Sequence, residues 1–143
     1  EGVRAAAVSN PQVPREVLSR RRTDQSWAVR TAVAKSPRVS AEILDYLAAD
    51  RIQDVRVAVA ENPRTTADAL ASLASDRDVE IRVAVASNPR ADQNTLEALS
   101  GDWAWKVREA VAKNPATSED IVRALAADRD QSVKKVAEAR LEI

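Results

Sequence analysis

The side chains that could do chemistry in this 143-residue chain are aspartates and arginines that return every 26 residues. Four aspartates are each followed six residues later by an arginine, in the pairs Asp24 and Arg30, Asp50 and Arg56, Asp76 and Arg82, and Asp102 and Arg108. A row of arginines could bind phosphate groups, because guanidinium groups form paired hydrogen bonds with phosphate oxygens. Since each arginine comes with its own aspartate, the spacing favours structural ion pairs over a phosphate site.

The residues on which most enzymes rely are missing from the chain. It has no cysteine and no histidine, which excludes disulfides, thiolate or imidazole metal sites, cysteine nucleophiles and a Ser-His-Asp relay. Glu42, Asp68 and Asp120 lie near the starts of expected helices, where the helix dipole favours acidic residues. No isolated carboxylate pair suggests an acid–base couple. The sequence therefore predicts a non-enzymatic protein with no cofactor and no metal.

The charge balance argues against a generally basic binding protein. Lys plus Arg and Asp plus Glu each number 22, so a nucleic-acid or membrane binder is not indicated by net charge. Only residues 1–23 are basic, and the run Arg20-Arg21-Arg22 could meet phosphates, an acidic partner or a neighbouring domain, or it could be solvated. No apolar run is long enough to span a membrane, and we expect a cytoplasmic protein. The chain begins with Glu1-Gly2 and shows no signal peptide, so we expect a piece of a longer protein.

The whole sequence is a repeat array. A Val-Arg-type pair and an Asn-Pro-type pair both recur every 26 residues without an insertion, the first from Val3-Arg4 and the second from Asn10-Pro11. Repeats of this length bury a continuous core only by stacking on their neighbours. The sequence therefore predicts one all-α solenoid with units at 1–23, 24–49, 50–75, 76–101 and 102–127 and a terminal cap at 128–143.

Residues 50–75 indicate how one unit folds. Asp50 fits a helix N-cap, and Val55, Ala58 and Val59 follow at the spacing of a buried helical stripe. The Asn-Pro pair should end this helix, because proline disfavours the α conformation in the residue before it. Each unit is therefore predicted to begin with one helix that ends at a turn.

A second, shorter helix is predicted after the turn. Thr65 and Thr66 can cap it, and its buried positions should be Ala69, Leu70, Leu73 and Ala74. Burying one leucine is worth about 1.5–3 kcal/mol, so we expect leucines rather than charges to hold the stack together.

The two ends of the array depart from this pattern. In the first unit Arg21 and Arg22 occupy the positions that Leu47 and Ala48 occupy one repeat later. The last unit has no Asn-Pro pair, so its helix should run on to Ile143 as a cap. Its polar residues are expected to face water, namely Lys134, Lys135, Glu138, Arg140 and Glu142.

The unit, best seen in 50–75 and 102–127, reads Asp-x4-Val-Arg-x-Ala-Val-Ala-x-Asn-Pro, followed by a Leu-x-x-Leu-Ala segment. It resembles the leucine-rich repeat variant family of bacterial proteins over essentially the whole chain. The resemblance implies a right-handed superhelix related to HEAT and armadillo arrays, in which an α-helix alternates with a shorter, often 3₁₀-like helix. The 26-residue period leaves open whether the second helix here is α or 3₁₀. Some family members carry an iron–sulfur cluster, which a chain without cysteine cannot ligate.

The likeness to HEAT arrays also implies roles for two sets of residues. The aspartate and arginine of each unit look like the pair that ties adjacent HEAT repeats together. The Val-Arg helix would line the inner surface, and helical spacing then directs a set of partner-binding candidates outward. These candidates are Trp27, Lys35, Arg38, Val57, Arg64, Val83, Arg90, Trp105 and Lys113.

These outward residues, together with Val79, predict an apolar centre with a tryptophan on either side and an arginine rim. Such surfaces favour protein partners, here acidic ones. Alternatively, Trp27 and Trp105 fill gaps between units and the valines are ordinary surface residues. Trp103, also a candidate, is expected to be exposed because its counterparts are polar.

The leading functional prediction is a non-enzymatic scaffold that binds a protein or peptide along one face of the solenoid. Nucleic-acid backbone binding is the alternative, since some HEAT-like arrays clasp DNA and a few excise bases with Trp and Asp residues, for which Trp103, Trp105 and Asp102 are available. A third possibility is an architectural or self-associating module. The sequence leaves the ligand and the oligomeric state open.

Overall fold

The computed structural model describes residues 1–142, which form eleven α-helices and no strand. A first helix and a shorter second helix alternate along the chain. The helices are α1 Gly2–Ser9, α2 Arg15–Arg21, α3 Trp27–Lys35, α4 Ala41–Leu47, α5 Gln53–Glu61, α6 Ala67–Leu73, α7 Val79–Ser87, α8 Gln93–Ser100, α9 Trp105–Lys113, α10 Glu119–Leu125 and α11 Gln131–Leu141. Each first helix packs on the first helices of the neighbouring pairs. The predicted all-α solenoid is confirmed.

The first helices end where the Asn-Pro pairs predict. Asn62 has an extended backbone with φ −74° and ψ 125°, and Asn88 and Asn114 have nearly the same conformation. The proline that follows each asparagine enforces this, because its ring clashes with an α-helical preceding residue. Ser36 has the same extended backbone before Pro37. The turn therefore follows from one dipeptide.

The beginnings of the first helices differ from the prediction. The N-cap of α5 is Ile52, which has no capping side chain, and not Asp50. Asp50 lies two residues earlier, where its Oδ1 accepts the backbone N–H of Ile52 at 2.9 Å. The aspartate thus shapes the turn that leads into the helix.

The second helices are α-helices, which settles the point that the sequence left open. Ser40, Thr66 and Asp92 cap three of them by accepting backbone N–H groups of the first turn. Thr65 has a different role, because it is buried and its hydroxyl donates to the carbonyl of Val59.

One continuous apolar core runs through the stack. Val55, Val59 and Leu70 are fully buried, and so are their counterparts one repeat later, Ile81, Val85 and Leu96. Buried alanines lie at fixed positions beside them, among them Ala58, Ala60, Ala84 and Ala86. Small residues let neighbouring helices approach closely. Of the Ala and Leu positions named from the sequence, Ala58, Ala69, Leu70 and Leu73 are buried, and Ala74 lies at the edge of the core.

The C-terminal helix α11 ends at Leu141, and Ile143, to which the prediction extended it, lies outside the described residues. Arg140 does not face water as predicted. Its Nη1 donates to the carbonyls of Ala112 and Asn114 at 2.8 and 2.9 Å. The guanidinium replaces the asparagine amide of earlier units, because it too carries N–H donors that reach two carbonyl oxygens.

Candidate functional site: an apolar groove beside two hydrogen-bond ladders

An open groove of about 650 Å³ lies along α5 and α7, on one face of the stack. Val57, Val79 and Val83 form its apolar floor. All three are half-buried and pack on the core, which leaves part of each side chain on the surface. The helical spacing that directed these residues outward thus places them in one concave surface.

Charged groups line the groove beside this floor. Glu61 and Glu80 line it from α5 and α7, and Lys106 lines it from α9. The Oε2 of Glu80 accepts a hydrogen bond from the Nε2 of Gln53 at 3.1 Å, which joins α5 and α7. A ligand would therefore meet an apolar floor, two carboxylates and one ammonium group.

The tryptophans of the candidate set are exposed. Trp27 and Trp105 occupy the same position in α3 and α9 that Val79 occupies in α7, and they are 47% and 40% exposed. Neither lines the groove itself. The Nζ of Lys106 lies 5.8 Å from the centroid of the Trp105 ring. Both rings thus remain accessible on the units that flank the groove.

The basic residues of the candidate set lie at the ends of the first helices and on the turns. Lys35 is exposed, and Lys113 forms an ion pair with Glu109 at 3.1 Å. Arg38 and Arg90 each reach back to the preceding turn, where their Nη1 atoms donate to the carbonyls of Gln12 and Arg64 at 3.5 and 3.2 Å. Arg64 and Arg90 remain exposed. The arginine rim is therefore partly tied to the backbone.

The aspartates and arginines form a continuous ladder along another edge of the stack. Arg82 donates through Nε and Nη2 to both carboxylate oxygens of Asp102 in the next helix pair, at 2.7 and 3.2 Å. Its Nη1 donates at 2.8 Å to the backbone carbonyl of Asp76, six residues earlier. The same arginine–carboxylate contact joins the other consecutive helix pairs, at Arg4–Asp24, Arg30–Asp50, Arg56–Asp76 and Arg108–Asp128.

This geometry confirms that the arginines are structural and corrects their partner. The side-chain partner is the aspartate 20 residues later, not the one six residues earlier, which contributes only its carbonyl. Spacing along the chain could not show this, because the contact crosses from one helix pair to the next. The bonded guanidinium groups from Arg30 onward are largely buried.

The ladder lowers the pKa of four of its carboxyl groups. Burial alone would raise the pKa of Asp102, but hydrogen bonds from Arg82 and from the backbone N–H of Ala104 outweigh burial and hold the pKa below its ordinary value. The pKa values of Asp24, Asp50 and Asp128 are lowered too, each with hydrogen bonds from an arginine and a backbone N–H. These four aspartates therefore resist protonation more than a free aspartate does.

The asparagines form a second ladder of hydrogen bonds, which the sequence did not predict, because there the Asn-Pro pairs indicated only helix ends. The Nδ2 of Asn88 donates to the carbonyls of Ala60 and Asn62 at 2.8 and 3.0 Å, and Asn114 repeats this on Ala86 and Asn88. The Oδ1 of Asn88 accepts the N–H of Arg90, which fixes the amide. The signal was the preference for asparagine over other residues before proline in most units.

Trp103 and the basic run at residues 20–22 contact neighbouring side chains. Trp103 is 73% exposed, as predicted, and its ring lies 5.5 Å from the guanidinium carbon of Arg82. Arg21 pairs with Asp24 at 3.3 Å, and Arg22 lies 5.4 Å from the Tyr46 ring. Two of the three arginines of that run are thus engaged inside the array.

One unit of the array is similar to a known repeat family. The family described as leucine rich repeat variant matches residues 105–130, which is one full period of the array. This stretch is similar to a leucine-rich repeat variant unit. The predicted resemblance to the family is thereby confirmed, and the fold is that of a helical-repeat scaffold.

A solved structure described as a leucine-rich repeat variant with a novel repetitive protein structural motif is similar to the chain, with 28% sequence identity and a TM-score of 0.48. The match covers 96% of this chain and 65% of that one, so the chain spans less than two thirds of that protein's length. No curated protein matches the chain.

Within residues 1–142, none of the helices is long and apolar enough to cross a membrane. No group of three or more acidic residues there is placed to hold a metal ion.

Proposed function

We propose that the chain is a non-enzymatic, cytoplasmic scaffold that binds a segment of another protein in the groove on α5 and α7. The observation that carries this proposal is the valine floor at Val57, Val79 and Val83. Exposed apolar surface that is concave and bordered by polar groups is typical of interaction sites. The neighbouring faces of α3 and α9 add two exposed tryptophans, a residue type that often contributes most to binding energy.

The charges around the groove define the segment that fits it. Apolar side chains would cover the valines, while Glu61 and Glu80 favour a basic group beside them. The groove includes Pro89, which is followed by the exposed Arg90. Arg64 occupies the same position as Arg90 on the turn of the preceding repeat, and its carbonyl accepts a hydrogen bond from Arg90. We therefore propose a short peptide with apolar anchors, a basic residue near its middle and acidic residues at the end that meets the arginine rim.

A random peptide library displayed on phage tests this proposal. Peptides selected on the protein should share apolar anchors, and their binding should be lost in the double variant Val57→Lys and Val83→Lys. A lysine on the floor puts a charge where the anchor must be desolvated. The matched control is Ala71→Lys with Ala98→Lys, two exposed positions on the second helices, and it should bind like the parent.

The variants must remain folded for this comparison. Because the valines are half-buried and a lysine can extend its ammonium group to water, the groove variant should lose only about 0.5–1 kcal/mol per substitution. Failure to select any peptide, or equal binding by groove and control variants, would contradict a peptide site in the groove.

Nucleic-acid binding is the alternative that the sequence left open. It rested on the likeness to HEAT arrays and on Trp103, Trp105 and Asp102. The ladder arginines add little to it, because their guanidinium groups bind carboxylates. Binding of a single-stranded oligonucleotide that weakens steeply with salt would favour this alternative, because phosphate contacts release counterions. A purely architectural role predicts binding of neither probe.

A further inference from the structure

A second pocket opens beside the aspartate turns of the first two helix pairs, away from the groove on α5 and α7. It has a volume of about 720 Å³, and its lining includes Arg22, Tyr46, Ala49 and Arg51. We call it the turn pocket, and it shares no lining residue with the groove. Its volume is in the range that is typical of small-molecule sites.

The two carboxylates of the turn pocket are already bound to arginines. Asp24 pairs with Arg4 and Arg21 at 3.0 and 3.3 Å, and Asp50 pairs with Arg30 at 2.7 Å. Both contacts belong to the ladder that joins consecutive helix pairs or lie directly beside it. The charge of these aspartates is therefore balanced without any help from the other arginines of the pocket.

Two arginines in the lining have no such partner. Among residues 1–142, neither Arg22 nor Arg51 has a carboxylate within ion-pair distance, and neither guanidinium group donates a hydrogen bond. Arg22 is half-buried and Arg51 is exposed. Because a guanidinium group carries five N–H donors and no acceptor, the turn pocket presents positive charge together with unused donors. An anion is the ligand that would use both.

The Tyr46 ring holds one of these guanidinium groups in place. The guanidinium carbon of Arg22 lies 5.4 Å from the ring centroid, which is within the range of a cation–π contact. This contact restricts a long side chain before any ligand arrives, so less conformational entropy is lost on binding. The ring is still 54% exposed. Its free surface, together with Ala49, gives the pocket an apolar wall.

The walls of the turn pocket are particular to this pair of repeats. The residues at the position of Arg22 in the following units are Ala48, Ala74, Ser100 and Ala126, and those at the position of Tyr46 are Ser72, Ala98 and Ala124. The later pairs therefore stack with small residues at both positions. Since stacking does not require an arginine and a tyrosine there, these two side chains need another explanation.

We propose that the turn pocket binds a small organic phosphate of the size of a nucleoside monophosphate, with its phosphate group at Arg22 and Arg51 and its organic group against Tyr46. A phosphate monoester carries a charge of about −1.5 to −2 at pH 7 and has three acceptor oxygens. These oxygens can accept paired hydrogen bonds from two guanidinium groups, whereas the two oxygens of a carboxylate are matched by one. Thr23 and Gln25 add an exposed hydroxyl and an exposed amide for polar atoms of the organic group.

Calorimetric titration of the intact chain with the ribonucleoside monophosphates of adenine, guanine, cytosine and uracil tests the proposal. We expect at least one of them to bind, and its nucleoside and inorganic phosphate to bind at least about tenfold more weakly, because each lacks one half of the ligand. Arg22→Gln and Arg51→Gln should each weaken binding about tenfold or more through the loss of charged hydrogen bonds. Tyr46→Ser, which introduces the residue of the next unit, should weaken it as well.

The matched control is Arg77→Gln, because Arg77 is exposed and occupies the position of Arg51 one repeat later. This variant should bind like the parent, and the urea midpoints of Arg51→Gln and Arg77→Gln should equal that of the parent. In NMR spectra, the Nε–H signals of Arg22 and Arg51 should shift on titration, while the methyl signals of Val57 in the groove stay in place.

Several results would overturn the proposal. These are the absence of binding by all four nucleotides at millimolar concentration, equally tight binding of inorganic phosphate, and equal losses in Arg51→Gln and Arg77→Gln. A single-stranded oligonucleotide without a terminal phosphate that binds the same arginines as tightly would also overturn it, because the pocket would then serve a nucleic-acid backbone. The groove plays no part in these measurements, so their outcome leaves the proposed peptide site untouched.

Discussion

At the scale of single residues, the array depends on two polar side chains that each join consecutive helix pairs. Arg82 links a carbonyl of its own pair to the carboxylate of the next, and Asn88 reaches back to two carbonyls of the pair before. Both are buried, where an unpaired polar group costs more than a formed hydrogen bond gains. These contacts therefore fix the register in which the pairs stack.

The ladder predicts which aspartate is coupled to a given arginine. In a double-mutant cycle on unfolding, Arg82→Ala and Asp102→Ala should show a coupling free energy of about 0.5–3 kcal/mol, because each removes the other's partner. The same cycle with Asp76→Ala should show less coupling, since Asp76 meets Arg82 only through its backbone. Stronger coupling to Asp76 than to Asp102 would contradict the ladder geometry.

The asparagine ladder offers a comparison within one protein. Asn88→Ala should lower the free energy of unfolding by about 1–3 kcal/mol, because the carbonyl of Ala60 loses its donor and that of Asn62 keeps only the N–H of Thr65. Asn10→Ala should change it by less than about 0.5 kcal/mol, as surface substitutions do. Urea unfolding of the two variants measures the difference. Equal losses would mean that the contacts with the preceding pair contribute nothing.

At the scale of helices, apolar packing holds each pair in place. Leu70 is fully buried in α6, between neighbouring pairs of the continuous core. Leu70→Ala should cost about 2–5 kcal/mol because it leaves a cavity. Ala71→Ser, one residue on and exposed, is the matched control and should be nearly neutral. An unchanged urea midpoint for Leu70→Ala would show that the buried face of the second helix is assigned wrongly.

The helices were predictable from the sequence because the signals that set them are local. Proline restricts the residue before it, so the end of α5 at Glu61 followed from Asn62-Pro63 alone. The start of α5 was not predicted, because the sequence suggested Asp50 both as a helix N-cap and as an ion-pair partner. Only the folded turn shows that it accepts the N–H of Ile52. Arg140 was misjudged for a similar reason. Its acceptors lie 28 and 26 residues earlier, and nothing near it in sequence indicates them.

The candidate site followed from the sequence only in part. Helical spacing brought Val57, Val79 and Val83 to one face, because all three lie on first helices at related positions. It did not show that Lys106 borders the groove or that Arg90 is tied to the turn before it. Those contacts depend on how far one pair is rotated against the next, which no single repeat encodes.

At the scale of the whole molecule, the ladder makes the free energy of unfolding depend on pH in the acidic range. A carboxyl group whose pKa is lowered by folding adds stability above its unfolded pKa of about 3.9, and this is lost as the pH falls through the folded pKa. Four ladder aspartates have lowered pKa values. The urea midpoint should therefore fall below about pH 4 and stay level from about pH 5.5 to 7, where no histidine titrates.

The variant Asp102→Asn tests how much one ladder carboxylate contributes to this pH dependence. It should be less stable than the parent at pH 7, and the difference should begin to shrink below about pH 4, because the unfolded parent then binds a proton on Asp102 that the ion-paired carboxylate of the folded state resists. Urea midpoints of both proteins at pH 7, 5, 4 and 3 measure this. A difference that is constant over that range would contradict the stabilising role of the ionised carboxylate.

The central claim is that the groove on α5 and α7 binds a peptide, and chemical-shift mapping with a peptide selected from the library tests it most directly. On titration, the methyl signals of Val57, Val79 and Val83 should shift at the lowest peptide concentrations, together with the side chain of Lys106. The signals of the exposed second-helix residues Ala71 and Ala98 should stay in place. Shifts confined to the second helices, or to the aspartate turns, would contradict the claim and move the binding surface to another face of the solenoid.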